Sequence, residues 1–421
     1  MDMKPSYKQT EVGVIPEDWL CFPFTEMTKL ITCGLAATPP YVEESHGYPF
    51  LSSTNIKNGR IVWADFKYIP AVLHMKLYKN NPPQKGDILY SRVGTIGEAA
   101  VVEDNTEFSI YVSLTLIKPK NTINSYYLKH LLNSVPYKQR ALAQVYLGGG
   151  VGNLNVDIVR QYPIVYPPAK VEQEKIVDVL NDTDALIDSL EQLITKKRNI
   201  KFGVMQELLS GKKRLPGFSG KWEVKRLADT AMLKARIGWQ GLTTAEYLKS
   251  GDYYLVTGTE FRKGYVDWDN CYYVDELRYG QDRYIQLKEH DVLVTKDGTI
   301  GKVALVTTLP KPATLNSGVF VIRPVDNAFH PDFFYYLLCS NIFTEFLFKL
   351  SAGSTINHLY QKDFSSFIYS TPPTIGEQIA ISVILRDMDA EIIALESKLS
   401  KISQLKKGMM QELLTGRIRL V

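Results

Sequence analysis

The stretch GTIG occurs twice in the chain, at Gly94–Gly97 and Gly298–Gly301. Main-chain N–H groups in glycine-rich turns can cradle phosphate, so nucleotide chemistry is the first possibility to weigh. Each copy closes a similar phrase, GDILYSRVGTIGEAAVV from Gly86 and HDVLVTKDGTIGKVALV from His290. A nucleotide-binding loop of the GxxxxGK type, with Ser or Thr next, is present in neither. Glu98 follows the second glycine in one copy and Lys302 in the other, which argues against a shared phosphate site. The pattern fits strand, tight turn, strand, with glycine supplying backbone freedom. Such a turn presents its neighbours, Arg92 and Thr95 or Lys296 and Thr299, to a ligand.

Other chemistries find less support. Asn81–Gln84 reads NPPQ, close to the PP motif of adenine-amino methyltransferases, but it lacks the aromatic residue that stacks a flipped base. No glycine-rich cofactor strand accompanies it. Cys21, Cys33, Cys271 and Cys339 form no CxxC pair, and the six histidines form no HExxH. No nuclease cluster of two acids and a lysine stands out, nor a nucleophile with a paired base. What remains is side-chain chemistry suited to duplex DNA. Arg, Lys, Asn and Gln make bidentate contacts to base edges, while Ser, Thr and backbone N–H groups take phosphates. The candidates in the first half are Thr54, Asn55, Lys57, Arg60, Arg92, Thr95, Asn153 and Asn155. In the second half they are Arg236, Gln240, Thr259, Arg262, Lys263, Lys296, Thr299, Thr355, Asn357 and His358. Taken singly, each is more simply an ordinary surface residue; several gain weight by falling at matching positions of the two halves.

Those halves are an internal repeat. Pro167–Leu215 aligns without a gap on Pro372–Leu420, an offset of 205 residues, and nearly half of the positions are identical. Upstream the likeness is weaker but in register: GYPFLSSTNIKNG faces GDYYLVTGTEFRKG, and Trp19 faces Trp222. Similar tails suggest one shared job, and diverged domains suggest two different jobs of one kind. The expected boundaries are a first domain over 1–166, a long helix over 167–211, a second domain over 212–371 and a second long helix over 372–421.

Alternating steps of four and three through the second tail collect Ile381, Leu385, Met388, Ile392, Leu395, Leu399, Ile402, Lys406, Met409 and Leu413. Lys406 breaks the seam, and Leu405 beside it could substitute. The same register in the first tail gives Ile176, Leu180, Thr183, Ile187, Leu190, Ile194, Lys197, Lys201, Val204 and Leu208. A sustained 3.5-residue period is a coiled-coil seam. About forty residues at about 1.5 Å each give a helix of roughly 60 Å. Pro-Pro pairs precede each helix, Gly211 and Gly416 fit helix stops, and Gly203 and Gly408 suggest close backbone contact. Glu396 and Lys398 read as solvated charges. An amphipathic helix of this kind needs a partner for its stripe. The expected fold is therefore α+β: two β-rich mixed domains separated by two long helices that pair within the chain as an antiparallel coiled coil, with pseudo-two-fold symmetry. The shared MQELL, with Met205, Gln206 and Glu207 or Met410, Gln411 and Glu412 exposed, would dock two copies of a partner.

The composition, 45% hydrophobic and 22% charged, suits a folded chain. With no spanning apolar run and no signal-peptide core, a cytoplasmic location without a membrane partner is expected. A net charge of +4 permits nucleic-acid binding without demanding it.

The doubled plan resembles the specificity subunit of type I restriction-modification systems over nearly the whole chain. PPAKVEQEKI and PPTIGEQIAI open the long helices; QELLSGKKRLPGF and QELLTGRIRL close them. GVIPEDW and FSGKWEVKRLADTA look like that family's domain beginnings, and GNLNVDIVRQYPIVYPP and INHLYQKDFSSFIYSTPP like its domain endings. The resemblance implies two target-recognition domains that each read half of a split double-stranded DNA site, with the paired helices setting the gap. It also implies docking of two modification subunits that carry S-adenosylmethionine and methylate adenine, and separate motor and endonuclease subunits that use ATP and Mg. This chain would then hold no cofactor and no metal, and would not be catalytic alone. A protein-binding adaptor on a coiled-coil rod is the alternative, and a stand-alone methyltransferase a third reading.

Overall fold

A computed structural model of the chain describes residues 6–146, 152–238, 241–351 and 358–420. It resolves into two compact units, Met1–Glu191 with Ser397–Val421, and Gln192–Glu396. Each long helix contributes to both: Lys170–Leu209 divides after Glu191, and Ile375–Leu413 divides after Glu396.

In the first unit, strands Ala99–Val101, Ile88–Ser91, Leu114–Pro119 and Thr28–Cys33 form, in that order, an antiparallel sheet. A smaller sheet joins Ser109–Ile110, Gly47–Leu51 and Lys67–Pro70. The domain is closed by its own ends, because Leu20–Pro23 pairs antiparallel with Pro163–Tyr166. The second unit repeats the plan. A six-stranded sheet runs Ala231–Lys234, Val319–Pro324, Val292–Thr295, Val303–Leu305, Tyr265–Val266 and Phe261–Arg262. Tyr253–Val256 lies between Tyr272–Val274 and Ala313–Leu315, and Glu223–Arg226 pairs with Ile368–Thr371 to close the domain.

The GTIG phrases are the strand, turn, strand units their sequence predicts. Ala99 faces Tyr90 across the first and Val303 faces Val294 across the second. All four glycines have positive φ, between 68° and 89°, a region that favours glycine. Each following helical stretch is broken in two. Ser125–Leu132 gives way to Val135–Ala143 where Pro136 enters, since proline can start a helix but not continue one. Pro331–Leu338 is likewise followed by Asn341–Leu350, with Ser340 as N-cap.

The seam holds: every described position of the 3.5-residue register in both helices is buried or half-buried. In the first unit Ile176, Val177 and Leu180 share a core with Met410, Leu413, Leu414 and Trp19. In the second, Met205, Leu208 and Leu209 share one with Ile381 and Leu385. Pairing is antiparallel in each unit. Residue numbers rise on one helix as they fall on the other and on the segment that follows it, from Glu172–Arg419 to Asp184–Lys406 and from Lys197–Glu391 to Lys201–Asp389. Two expectations need correction. Leu405 does not replace Lys406 in the seam; it is 56% exposed, and Lys406 turns inward to pair with Asp184. Gly203 and Gly408 make no close backbone contact, since a Cβ built on either meets nothing within 4 Å. Gly211 and Gly416 do stop the helices, with φ of 72° and 69°, and their missing side chains make room for Trp222 and for Pro16 and Trp19.

Candidate nucleic-acid interface

In the first unit, four loops converge at one end of the main sheet. The Ser53 N–H donates to Ser113 Oγ at 2.9 Å, and Thr95 Oγ1 donates to the Ser53 carbonyl at 3.2 Å. Arg92 ties in the last loop: its N–H donates to the Ser113 carbonyl, and its carbonyl accepts from the Leu154 N–H, both at 2.9 Å. Its guanidinium, almost fully buried, donates to the Leu154 carbonyl at 2.8 Å, to Asn153 Oδ1 at 2.9 Å and to the Val112 carbonyl at 3.3 Å. Asn55 is buried too. It accepts from the Ser52 N–H at 3.0 Å and donates to the Ala64 carbonyl at 2.9 Å, fixing the turn that carries Thr54. Thr54, Lys57, Thr95, Asn153 and Asn155 are exposed; Asn155 also caps the helix Val156–Arg160.

The second unit repeats the cluster with other side chains. Where the first unit has Asn55, the second has the buried carboxylate of Glu260. It accepts from the N–H groups of Thr257 and Gly258, both at 3.0 Å, and from the hydroxyls of Thr257 at 2.7 Å and Thr259 at 2.9 Å. Four donors meet the acceptor capacity of one carboxylate, so the loop is rigid without any outside cation. The Lys296 N–H donates to the Gly318 carbonyl, and its carbonyl accepts from Leu359, as Arg92 does in the first unit. Lys296 Nζ lies 5.4 Å from the centre of the Phe320 ring, and His358 pairs with Asp297 at the rim. Thr259, Arg262 and Thr299 are exposed. Arg236 is 1% exposed and donates to the Leu315 carbonyl at 2.9 Å and to Gln281 Oε1 at 3.1 Å. Burial pushes its pKa down. Gln240, Thr355 and Asn357 lie outside the described residues.

Arg60 and Lys263 sit apart from these clusters. Arg60 opens the second strand of one tight hairpin and Lys263 sits in the two-residue turn of the other, and each is paired with a carboxylate of a long helix, Arg60 with Asp188 and Lys263 with Glu396. Lys263 and then Arg198 hold the Glu396 carboxyl below its ordinary range, so Glu396 is not the free solvated charge its position suggests. Of the MQELL residues, Met205 and Met410 are buried in the domain cores, Gln206, Glu207 and Gln411 are exposed, and Glu412 is half-buried.

Sequence reasoning overlooked the buried helix openings. Glu172 and Gln173, like Glu377 and Gln378, are almost wholly buried. Arg419 forks onto Glu172 at 2.8 Å and onto Asp18 at 2.9 Å; Arg214 forks onto Glu377 at 2.6 Å. Gln173 accepts from the Asn124 N–H at 2.8 Å and Gln378 from the His330 N–H at 2.7 Å, locking each helix to its domain. The signal was present: the Glu-Gln pair and the closing Arg-Leu are identical in both tails. Among the described residues no group of three or more His, Cys, Asp or Glu side chains could hold a metal ion, and no helix is long and apolar enough to cross a membrane.

Comparison with known proteins agrees with this architecture. The family model for the type I restriction modification DNA specificity domain matches residues 16–197 and 219–406. A Methanocaldococcus jannaschii chain assigned as the type I restriction enzyme MjaX specificity subunit is 27% identical, covering 98% of this chain and 97% of its own. The MjaVIII specificity subunit of the same organism is 25% identical, covering 98% and 96%. Among solved structures, the type I S subunit from M. genitalium superposes with a TM-score of 0.60 at 14% identity, covering 98% of this chain and 99% of that one.

Proposed function

This chain belongs to the family of type I restriction-modification DNA specificity subunits, and on that premise we propose that each of its two domains reads one half of a split DNA site through its loop cluster. The observation that carries the proposal is the repetition of one rigid scaffold whose side chains differ at several positions. The main-chain bonds of Arg92 and Lys296 are equivalent, and the exposed Thr54 and Thr95 recur as Thr259 and Thr299, whereas Arg92, Lys57 and Asn153 give way to Lys296, Arg262 and the half-buried His358. Hydroxyls and amides held on fixed backbone suit base edges and phosphates. Lys57 and Arg262, exposed beside the clusters, supply phosphate contacts. The paired helices set the unread gap between half-sites. The exposed Gln206 and Glu207, with Gln411 beside Glu412, dock two modification subunits. S-adenosylmethionine, ATP and Mg belong to partner subunits, and this chain is non-catalytic alone.

The test is binding of the full chain to duplex DNA as salt is raised. Phosphate neutralisation gives a steep linear fall of log affinity with log salt. Selection from a random duplex library should return two short motifs at a fixed separation. A flat salt response with no enriched motif would favour a protein-binding adaptor instead.

A further inference from the structure

The two hairpins set apart from the loop clusters share a geometry that base reading does not need. In the first unit Ile56–Lys57 pairs with Arg60–Ile61, and the tip is Asn58 and Gly59 at φ of 53° and 77°. In the second, Phe261–Arg262 pairs with Tyr265–Val266, and the tip is Lys263 and Gly264 at φ of 51° and 84°. Two-residue turns with both φ positive are the tight connections that match strand twist, and they favour Asn and Gly. Asn58 obeys that preference. Lys263 does not: a lysine in the left-handed region is unfavourable and persists only where the surroundings hold it. Its ammonium sits on Glu396, which also accepts from Arg198 at 2.6 Å. The hydroxyl of Tyr335 occupies the space where a Cβ on Gly264 would stand, so the tip is also seated from beneath.

In the first unit the corresponding bridge is Arg60 to Asp188. A cavity of about 970 Å³ lies beside it, lined by Asn58, Gly59, Arg60, Lys129, Asp184 and Asp188 among others. Domain and helix therefore do not pack continuously here; Arg60 spans an open groove. Each hairpin also follows directly from the turn held by Asn55 or Glu260. A few residues of rigid backbone thus join a reading loop to a carboxylate on a long helix.

We propose that Arg60 and Lys263 are positioning residues, braces that fix each reading loop relative to the long helix beside it and so make the chain intolerant of a wrong gap between half-sites. The proposal rests on the reading function above. It assigns these two cations to Asp188 and Glu396 rather than to DNA.

Two measurements on the full chain test it. The first uses duplexes carrying the two half-motifs selected by the unaltered chain, at the selected gap and at one base pair more or less. Lys263→Asn suits the turn and removes the ammonium. It should fold at least as well as the parent yet lose threefold or more of the affinity ratio between right and wrong gaps, while base preference within each half-motif stays unchanged. Lys263→Arg should keep most of the ratio. A parental ratio in the Asn variant overturns the brace, as does a change of base preference, which would make Lys263 a reader. The second needs no DNA. Backbone hydrogen exchange across residues 257–266 should quicken in Lys263→Asn and not in Lys263→Arg, and unchanged exchange overturns the brace. Failure of the parent chain to select any motif would overturn the reading function, leaving the exchange result to judge the mechanical contact separately.

Discussion

Removing the Arg419 guanidinium would strand the Glu172 carboxylate, whose side chain is 3% exposed, at the first turn of its helix. Arg419 is held charged chiefly by Glu172 and then by Asp18, and its guanidinium also lies 5.8 Å from the centre of the Trp19 ring. Breaking a buried pair from one side costs about 3–5 kcal/mol, because the remaining charge has lost both water and partner. Arg419→Ala should therefore lower the thermal midpoint of the full chain markedly, with Arg419→Lys intermediate because an ammonium keeps the charge but not the planar fork that pairs with both oxygens of each carboxylate. Lys129 gives a prediction of the opposite sign. Burial pushes its pKa from 10.5 down to about 8, with Asp184 only partly compensating at 3.9 Å. Below pH 8 the lysine is charged in both folded and unfolded chains, so the burial penalty is fully present. Between pH 8 and 10.5 the folded form has shed a proton that the unfolded form keeps, and the penalty fades. Lys129→Met should thus stabilise the protein at pH 7 by roughly 1–3 kcal/mol, since each tenfold weakening of proton binding corresponds to about 1.4 kcal/mol. The gain should shrink as unfolding is measured at rising pH. Residue type alone does not announce such roles. Arg236, Arg92 and Asn55 have the chemistry of surface contacts, and the fold uses that chemistry to tie loops together from within.

The long helices were the most readable elements, since a 3.5-residue stripe has few other uses. Their direction was also written in the chain. The first half of each helix is mainly acidic and the second half mainly basic before the closing MQELL: Glu172, Asp184 and Asp188 precede Lys197, Arg198 and Lys201, and Glu377, Asp389 and Glu391 precede Lys401, Lys406 and Lys407. Antiparallel pairing sets acid against base, as in Asp184–Lys406 and Asp389–Lys201, whereas a parallel pair would set like against like. Lysines that looked like faults in the seam are thus its direction signal. Gly203 and Gly408 remain without an internal purpose. With open space beside each, alanine should add about 0.8–1.0 kcal/mol of helix stability per site, read from chemical unfolding of the full chain. Should those glycines admit a docking partner, the stabilised variants would also bind the modification subunit more weakly in a pull-down titration.

For the whole molecule, the repeat predicts separable readers. Exchanging residues 15–160 for the equivalent domain of a relative should change one half-motif and leave the other, as judged by motif selection. Inserting four residues into one long helix should shift the preferred gap. Two altered motifs, or an unaltered gap, would break the independent-reader scheme. The two-domain plan was legible because the tails barely diverged. Sheet order was not, since Val319–Pro324 lies between Ala231–Lys234 and Val292–Thr295, strands far from each other in the chain, and only packing brings them together.

The GTIG turn carries one more implication. It is fastened by groups that do not depend on the exposed side chains: the Ser91 or Thr295 hydroxyl on the carbonyl of Thr95 or Thr299, and main-chain bonds on either side. Exposed side chains that take no part in that fastening, such as Lys57 and Thr299, can therefore drift without unsettling the frame that displays them. A lineage under pressure to recognise new DNA could revise its vocabulary while its grammar stayed intact.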